Sequence, residues 1–137
     1  MSLTSSRGVN YMESLISKPL LKEFIENELD FERELFDKLF GFLNKYLDEL
    51  VAEKYTGTPE NMENLGLLAH KVKASCHSFG AEVLHLELQS LESASKNSDQ
   101  EKTKIHFIKI TEIYQDTLKL IKKISDQYFA EEDKNVA

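Results

Sequence analysis

His70 and Lys73 are three residues apart, and together they could carry out phosphoryl transfer. A neutral imidazole nitrogen is a competent nucleophile near neutral pH, and an ammonium group on the same helical face would stabilise phosphoryl oxygens. Gly66 lies one turn before His70 and Ala74 one turn after it, so the surface around the imidazole is expected to be shallow. This spacing predicts a reversible phosphoryl acceptor at an exposed His70.

These side chains can act together only if one helix presents them, and the apolar pattern predicts that helix. Apolar residues recur at steps of three and four, which is typical of a helix with one buried seam. The predicted seam consists of Met62, Leu65, Ala69, Val72, Cys76 and Phe79. At about 100° per residue, a neighbouring stripe then faces solvent. This stripe consists of Gly66, His70, Lys73 and His77.

The segment from Ala69 to Leu84, followed by Leu88 and the pair Leu91-Glu92, resembles the signature of histidine-containing phosphotransfer (HPt) domains. That signature is roughly A-H-x-L-K-G-S-S-x-x-x-G-A-x-x-L, with a leucine and a Leu-Glu pair further on. The resemblance covers most of the chain after about Lys18. The matching positions are Ala69, His70, Lys73, Ser75, Gly80, Ala81, Leu84, Leu91 and Glu92.

The resemblance implies a phosphocarrier and not an enzyme with its own kinase activity. His70 would be the phosphorylated residue, Lys73 its electrostatic partner, and Gly80 the tight exit that returns the next helix alongside. The implied partners are receiver domains of response regulators and a hybrid sensor histidine kinase. The implied Mg²⁺ belongs to the receiver, so no cofactor and no metal is expected on this chain, which also lacks a nucleotide-binding motif.

The chain departs from the HPt pattern near the histidine. Ala74 stands where the family usually has glycine, His77 is additional, and Val72 and Cys76 replace leucine and serine. In such families, exposed apolar residues beside the histidine dock a receiver, and Leu67 is the candidate for that role because it precedes His70 by one turn and lies off the seam. The full set of predicted docking residues is Gly66, Leu67, Lys71, Ala74 and His77.

The elements around this helix predict an all-α fold, an antiparallel four-helix bundle with a short extra N-terminal helix. Predicted helices span Lys18 to about Glu28, Asp30 to about Tyr55, Pro59 to Phe79, Ala81 to about Ala94, and about Glu101 to Tyr128. Asp30 is the predicted cap of the second helix, Gly57 its exit, and Thr58 with Pro59 the start of the third. Residues 1–17 are expected to be a flexible tail, 18–129 the bundle, and 130–137 an acidic polar tail.

Apolar residues at helical spacing give the predicted buried faces of the other helices. These residues are Leu20, Leu21, Phe24 and Ile25 in the first helix; Leu35, Phe36, Leu39, Phe40, Leu43, Tyr46, Leu47, Leu50 and Val51 in the second; Leu84, Leu88 and Leu91 in the fourth; and Phe107, Ile110, Tyr114, Leu118, Ile121 and Ile124 in the last. Residues 93–100 are expected to form a polar loop.

Composition narrows the possible functions further. The 137 residues carry a formal charge of −7, which disfavours nucleic acid as a partner because phosphate backbones would be repelled. No apolar run is long enough for membrane insertion. The single cysteine, Cys76, cannot form an internal disulfide and is expected to be a buried apolar residue, which fits a reducing cytoplasmic setting. A monomer is expected.

Three alternatives compete with a phosphorelay intermediate. The first is a helical adaptor that binds receivers or other signalling proteins without transferring phosphate. The second is the N-terminal phosphotransfer domain of a chemotaxis-type kinase. The third is metal binding by the four histidines, which is disfavoured because no cysteine pair or His-Glu-x-x-His motif is present and His70 and His77 lie about 10 Å apart along a helix.

Overall fold

The computed structural model describes residues 11–136, and every regular element in that range is helical. Residues 11–15 form a helical segment. The labelled helices that follow are α1 (Lys18–Glu23, continuing into a π-helical turn at Phe24–Glu28), α2 (Arg33–Glu53), α3 (Pro59–Ser78), α4 (Glu82–Lys96) and α5 (Gln100–Val136). The all-α class predicted from the sequence is confirmed.

The four long helices enclose one apolar core. α3 packs against α2 and α4, α5 packs against α4 and α2, and α1 contacts α3 and α5. The predicted seam of α3 is buried over its whole length, and so are the predicted apolar faces of α4 and α5. Periodicity alone therefore located the inward face of three helices, because each helix buries one continuous stripe.

An aromatic cluster around Phe79 closes one end of the core. The Phe79 ring lies 5.0 Å from that of Phe24, 5.4 Å from that of Phe36 and 6.0 Å from that of Phe40, centroid to centroid, all in edge-on geometry. Such pairs stabilise a core beyond the area they bury. Phe79, directly after α3, thus packs α2 against the π-helical turn that follows α1.

The turn after α3 requires a glycine. Gly80 has φ of +78°, and a Cβ there would lie 2.5 Å from the carbonyl oxygen of Ser17. Ser17 also donates its backbone N–H to the Gly80 carbonyl oxygen at 2.7 Å, and its hydroxyl caps α1 by accepting from the Leu20 N–H. Gly80 is therefore the tight exit that the sequence predicted, and it also joins α1 to the α3–α4 turn.

The predicted boundaries of α2 are wrong at both ends. Asp30 does not cap the helix: it and Phe31 adopt positive φ values of 50° and 56°, and the helix begins only at Arg33. At the other end, the helix stops before Lys54, which has φ of 59°, and Gly57, with φ of 82°, lies in the following loop. Leu35, which was expected in the buried stripe, is exposed.

The start of α3 is as predicted. The Thr58 hydroxyl accepts a hydrogen bond from the Asn61 N–H at 3.1 Å, and Pro59 occupies the first turn. Asn61 is itself buried and accepts from the Thr56 N–H while donating to the Lys54 carbonyl oxygen. The loop between α2 and α3 is thereby tied to the first turn of α3.

The later helices extend beyond their predicted ends. α4 continues to Lys96, so the predicted polar loop at 93–100 shrinks to residues 97–99. α5 continues past Tyr128 to Val136, because Phe129 is buried and Arg33 lies over its ring at 5.1 Å. The acidic residues 131–133 are therefore helical and not a tail. Although α5 has 37 residues, neither it nor another helix of residues 11–136 is long and apolar enough to cross a membrane.

The N-terminal tail is shorter than predicted. Leu15 and Ile16 are buried and belong to the core, so at least residues 11–17 are part of the folded body. The rest of the predicted tail, residues 1–10, lies outside the described residues.

Candidate functional site

The candidate nucleophile lies in the middle of α3 with its ring accessible. Two-thirds of the His70 side chain (66%) is exposed, as the stripe predicted, while the neighbouring seam residues Ala69 and Val72 are buried. The helix is therefore anchored by its apolar face directly beneath the imidazole. A partner could reach the ring without any rearrangement of the core.

Glu92, from α4, fixes the orientation of the imidazole. Its Oε2 lies 2.7 Å from His70 Nδ1, and the side chain is only 6% exposed. The sequence pattern contained a signal for it, because Leu91-Glu92 matches the HPt signature, but no role followed from that match. Glu92 is thus a site residue that the sequence analysis missed.

Two lysines share the Glu92 carboxylate. Lys73 Nζ lies 2.5 Å from Oε1, and Lys96 Nζ lies 3.1 Å from Oε2. Burial of the carboxyl opposes its ionisation, but hydrogen bonds from the two lysines and the histidine outweigh burial and lower the pKa of Glu92 from 4.5 to about 2. Glu92 is therefore ionised at neutral pH.

The ionised state of Glu92 determines which nitrogen of His70 can react. A carboxylate only accepts hydrogen bonds, so the proton of a neutral imidazole must lie on Nδ1, which donates to Glu92. The lone pair is then on Nε2, on the other side of the exposed ring. A carboxylate behind the distal nitrogen is the arrangement that orients a catalytic imidazole and stabilises positive charge developing on it.

Gly66 is not part of an exposed stripe, which corrects the sequence prediction. It is buried, and a Cβ at this position would lie 2.3 Å from the Ser95 hydroxyl oxygen on α4. The missing side chain lets the end of α4 approach α3 one turn before His70. Gly66 therefore contributes close helix packing, which brings Ser95 and Lys96 beside the histidine.

A cleft opens next to His70 where α3 and α4 meet. Its lining includes Met62, Gly66, Leu67, His70, Glu92 and Lys96. Leu67 is 61% exposed, which is consistent with the sequence prediction that it lies off the core seam. The cleft thus combines an apolar wall, a cation at its rim and the candidate nucleophile.

The remaining predicted docking residues are distributed over both sides of α3. Lys71 points towards α2, where its ammonium lies 4.1 Å above the Tyr46 ring. Ala74 is exposed, and His77 is exposed with its ring 5.3 Å from that of His85 on α4. These residues surround His70 but do not all line the same cleft.

Cys76 and His106 are both less accessible than His70. Cys76 is buried on the seam, and burial raises the pKa of its thiol, so it remains an unreactive apolar residue. His106 is also held at Nδ1 by a carboxylate, Glu87 Oε2 at 2.7 Å, but its side chain is only 22% exposed, against 66% for His70. Within the described part of the chain, no three side chains of His, Cys, Asp or Glu are grouped so that they could hold a metal ion.

Comparison with known proteins gives no relative. No family model, curated protein or solved structure matches this chain.

Proposed function

We propose that this protein is a histidine phosphotransfer intermediate that accepts a phosphoryl group on His70 Nε2 from a receiver-domain aspartate and passes it to another receiver. The observation that carries the proposal is the exposed imidazole held at Nδ1 by a buried, ionised carboxylate. In the neutral ring, that contact leaves Nε2 as the nucleophilic nitrogen. The HPt-like pattern around His70 supports the same assignment.

In the transfer step, the Nε2 lone pair attacks the phosphorus of an aspartyl phosphate. An N–P bond forms, the bond from phosphorus to the aspartate oxygen breaks, and the aspartate leaves as a carboxylate with the electron pair. The ring becomes a phosphorylated imidazolium that still carries its Nδ1 proton, and Glu92 lies within hydrogen-bond distance to balance its charge. No proton has to move, so the reverse step uses the same groups.

Lys73 contributes to the reaction through its position. Its ammonium is bound to Glu92 and its side chain is only 27% exposed, so it adds fixed positive charge close to His70. Positive charge held in place beforehand stabilises a transferring phosphoryl group without reorganisation. A preformed arrangement of this kind fits a reaction that consists mainly of positioning.

The architecture and partners follow as parts of the same proposal. We infer that α2 to α5 form an antiparallel four-helix bundle, since each contacts two of the others and short loops join them. The proposed partners are receiver domains, which supply the Mg²⁺, and a hybrid sensor histidine kinase. The proposed setting is cytoplasmic.

The proposal is tested by mixing the protein with Mg²⁺ and a receiver domain already phosphorylated on its aspartate. We expect acid-labile, alkali-stable phosphate on the wild type and on His106→Gln, and none on His70→Gln. If receivers bind the protein but transfer nothing to it, the phosphotransfer assignment is wrong and the adaptor alternative is correct.

A further inference from the structure

We propose that Lys96 is a second cation for the phosphoryl group on His70, an inference that rests on the proposed function. Once His70 is phosphorylated, the Lys96 ammonium leaves the Glu92 carboxylate and binds the phosphoryl oxygens. Lys96 belongs to the last turn of α4 and was not singled out by the sequence pattern. Its place in the site follows from three observations on contacts, exposure and packing.

The first observation is a shared acceptor. Lys96 Nζ and His70 Nδ1 both contact Oε2 of Glu92, at 3.1 and 2.7 Å, whereas Lys73 contacts Oε1. Two groups bound to one oxygen lie at most about 6 Å apart. The Lys96 ammonium is therefore the cation that shares an oxygen with the reactive ring.

The second observation is a difference in freedom between the two lysines. The Lys96 side chain is 71% exposed, against 27% for Lys73. An exposed lysine has a flexible four-carbon stem and can redirect its ammonium at small cost. Lys73 is held in place, so Lys96 is the one that can follow a new negative charge.

The third observation is the packing that places Lys96 there. Gly66 lets Ser95 approach α3 closely, and Lys96 and His70 line the same cleft. A phosphoryl group on Nε2 would bring nearly two negative charges into this cleft, against the single charge of Glu92. Glu92 keeps Lys73 when Lys96 leaves, so the buried carboxylate does not lose its ion pair.

Two simpler roles also account for part of the position of Lys96. A basic residue in the last turn stabilises the helix end, and an ion pair with Glu92 four residues earlier contributes to α4. Neither role requires the ammonium to lie beside the imidazole. The test must therefore use a property of the phosphoryl group itself.

The experiment phosphorylates the protein with phosphoramidate, a small donor that needs no receiver, and follows the phosphoryl group by phosphorus NMR during a pH titration. A nearby cation favours the dianion. We expect the phosphoryl pKa to be higher in Lys96→Met than in the wild type. In Lys96→Arg, which keeps the positive charge, we expect the wild-type phosphoryl pKa. In reversible transfer with a receiver, Lys96→Met should lower the equilibrium constant for phosphorylation of His70 about three- to fivefold, which is the effect of losing an exposed charge pair.

Lys104→Met is the matched control, because Lys104 is an exposed lysine of α5 that does not line the cleft. It should titrate as the wild type does. If Lys96→Met also titrates as the wild type does, Lys96 only stabilises the helix and this inference is wrong, while the proposed function stands. If the wild type takes up no phosphate on His70 from either donor, both are wrong.

Discussion

At the scale of single residues, Glu92 determines the tautomer of His70. An exposed histidine on its own would exchange between tautomers, but the buried carboxylate at 2.7 Å retains the proton on Nδ1. The cost of burying Glu92 is offset by hydrogen bonds from two lysines and from His70 itself. The candidate site is therefore a cluster of four side chains on two helices.

Glu92→Gln should make the stability of the protein less dependent on acid pH. The pKa of Glu92 is lowered from 4.5 to about 2 on folding, so its ionised form stabilises the fold above pH 4.5, and that contribution is lost as the pH falls towards 2. At neutral pH we expect Glu92→Gln to lower the free energy of unfolding by about 1–2 kcal/mol. The difference from wild type should shrink below pH 4.5. Urea unfolding at several pH values measures this.

Glu63→Gln is the control for that series, because Glu63 is an exposed carboxylate of α3. It should change stability little at any of these pH values. A difference between Glu92→Gln and wild type that stays constant or grows as the pH falls would contradict the ionised state assigned to Glu92.

At the scale of elements, two glycines set the approach of α3 to its neighbours. Gly66 lets α4 come close at the histidine, and Gly80 makes the turn that sends the chain back into α4. The sequence identified Gly80 correctly because a glycine after a helical seam is typical of a helix exit. It misplaced Gly66, because a helical wheel has no information on how closely a neighbouring helix approaches.

Gly66→Ala should destabilise the protein through Ser95. The added Cβ would lie 2.3 Å from the Ser95 hydroxyl oxygen, which also donates to the Glu92 carbonyl oxygen. Overpacking of this kind outweighs the gain of about 1 kcal/mol in helix propensity, so we expect a net loss of about 1 kcal/mol. Ser95→Ala in the Gly66→Ala background should recover part of the loss in a double-mutant cycle. Additive effects of the two changes would contradict this packing.

Gly80→Ala and Gly41→Ala should have opposite effects. At Gly80, alanine would adopt φ of +78° with its Cβ 2.5 Å from a backbone oxygen, so we expect a loss of about 1–3 kcal/mol. At Gly41, in α2, a Cβ would meet nothing within 4 Å, so we expect unchanged or improved stability. Thermal unfolding compares the two variants directly. Similar shifts in Tm would show that the turn at Gly80 tolerates a side chain, contrary to its geometry.

At the scale of the whole molecule, contacts local in sequence were predictable and distant ones were not. The α3 seam and the exposed His70 followed from helical periodicity, and Thr58 and Pro59 correctly marked the start of α3. The pairing of His70 with a carboxylate 22 residues away depends on how two helices pack, which periodicity does not contain. The extension of α5 past residue 128 likewise depends on tertiary contacts of Phe129.

Leu67→Asp should weaken receiver binding without unfolding the protein. Leu67 is exposed in the cleft beside His70, so a carboxylate there removes an apolar contact and opposes an acidic receiver pocket. We expect the Kd for a receiver that transfers phosphate to rise about tenfold. Leu86→Asp is the control, because Leu86 is as exposed but does not line the cleft. Equal effects of the two changes would show that Leu67 is not part of the proposed interface.

NMR of the phosphorylated protein identifies the modified nitrogen and so tests whether Glu92 leaves Nε2 of His70 as the nucleophile. The prediction is a single phosphoryl group on Nε2 of His70, with the proton retained on Nδ1. A phosphoryl group on Nδ1, or on another histidine of the chain, would contradict it.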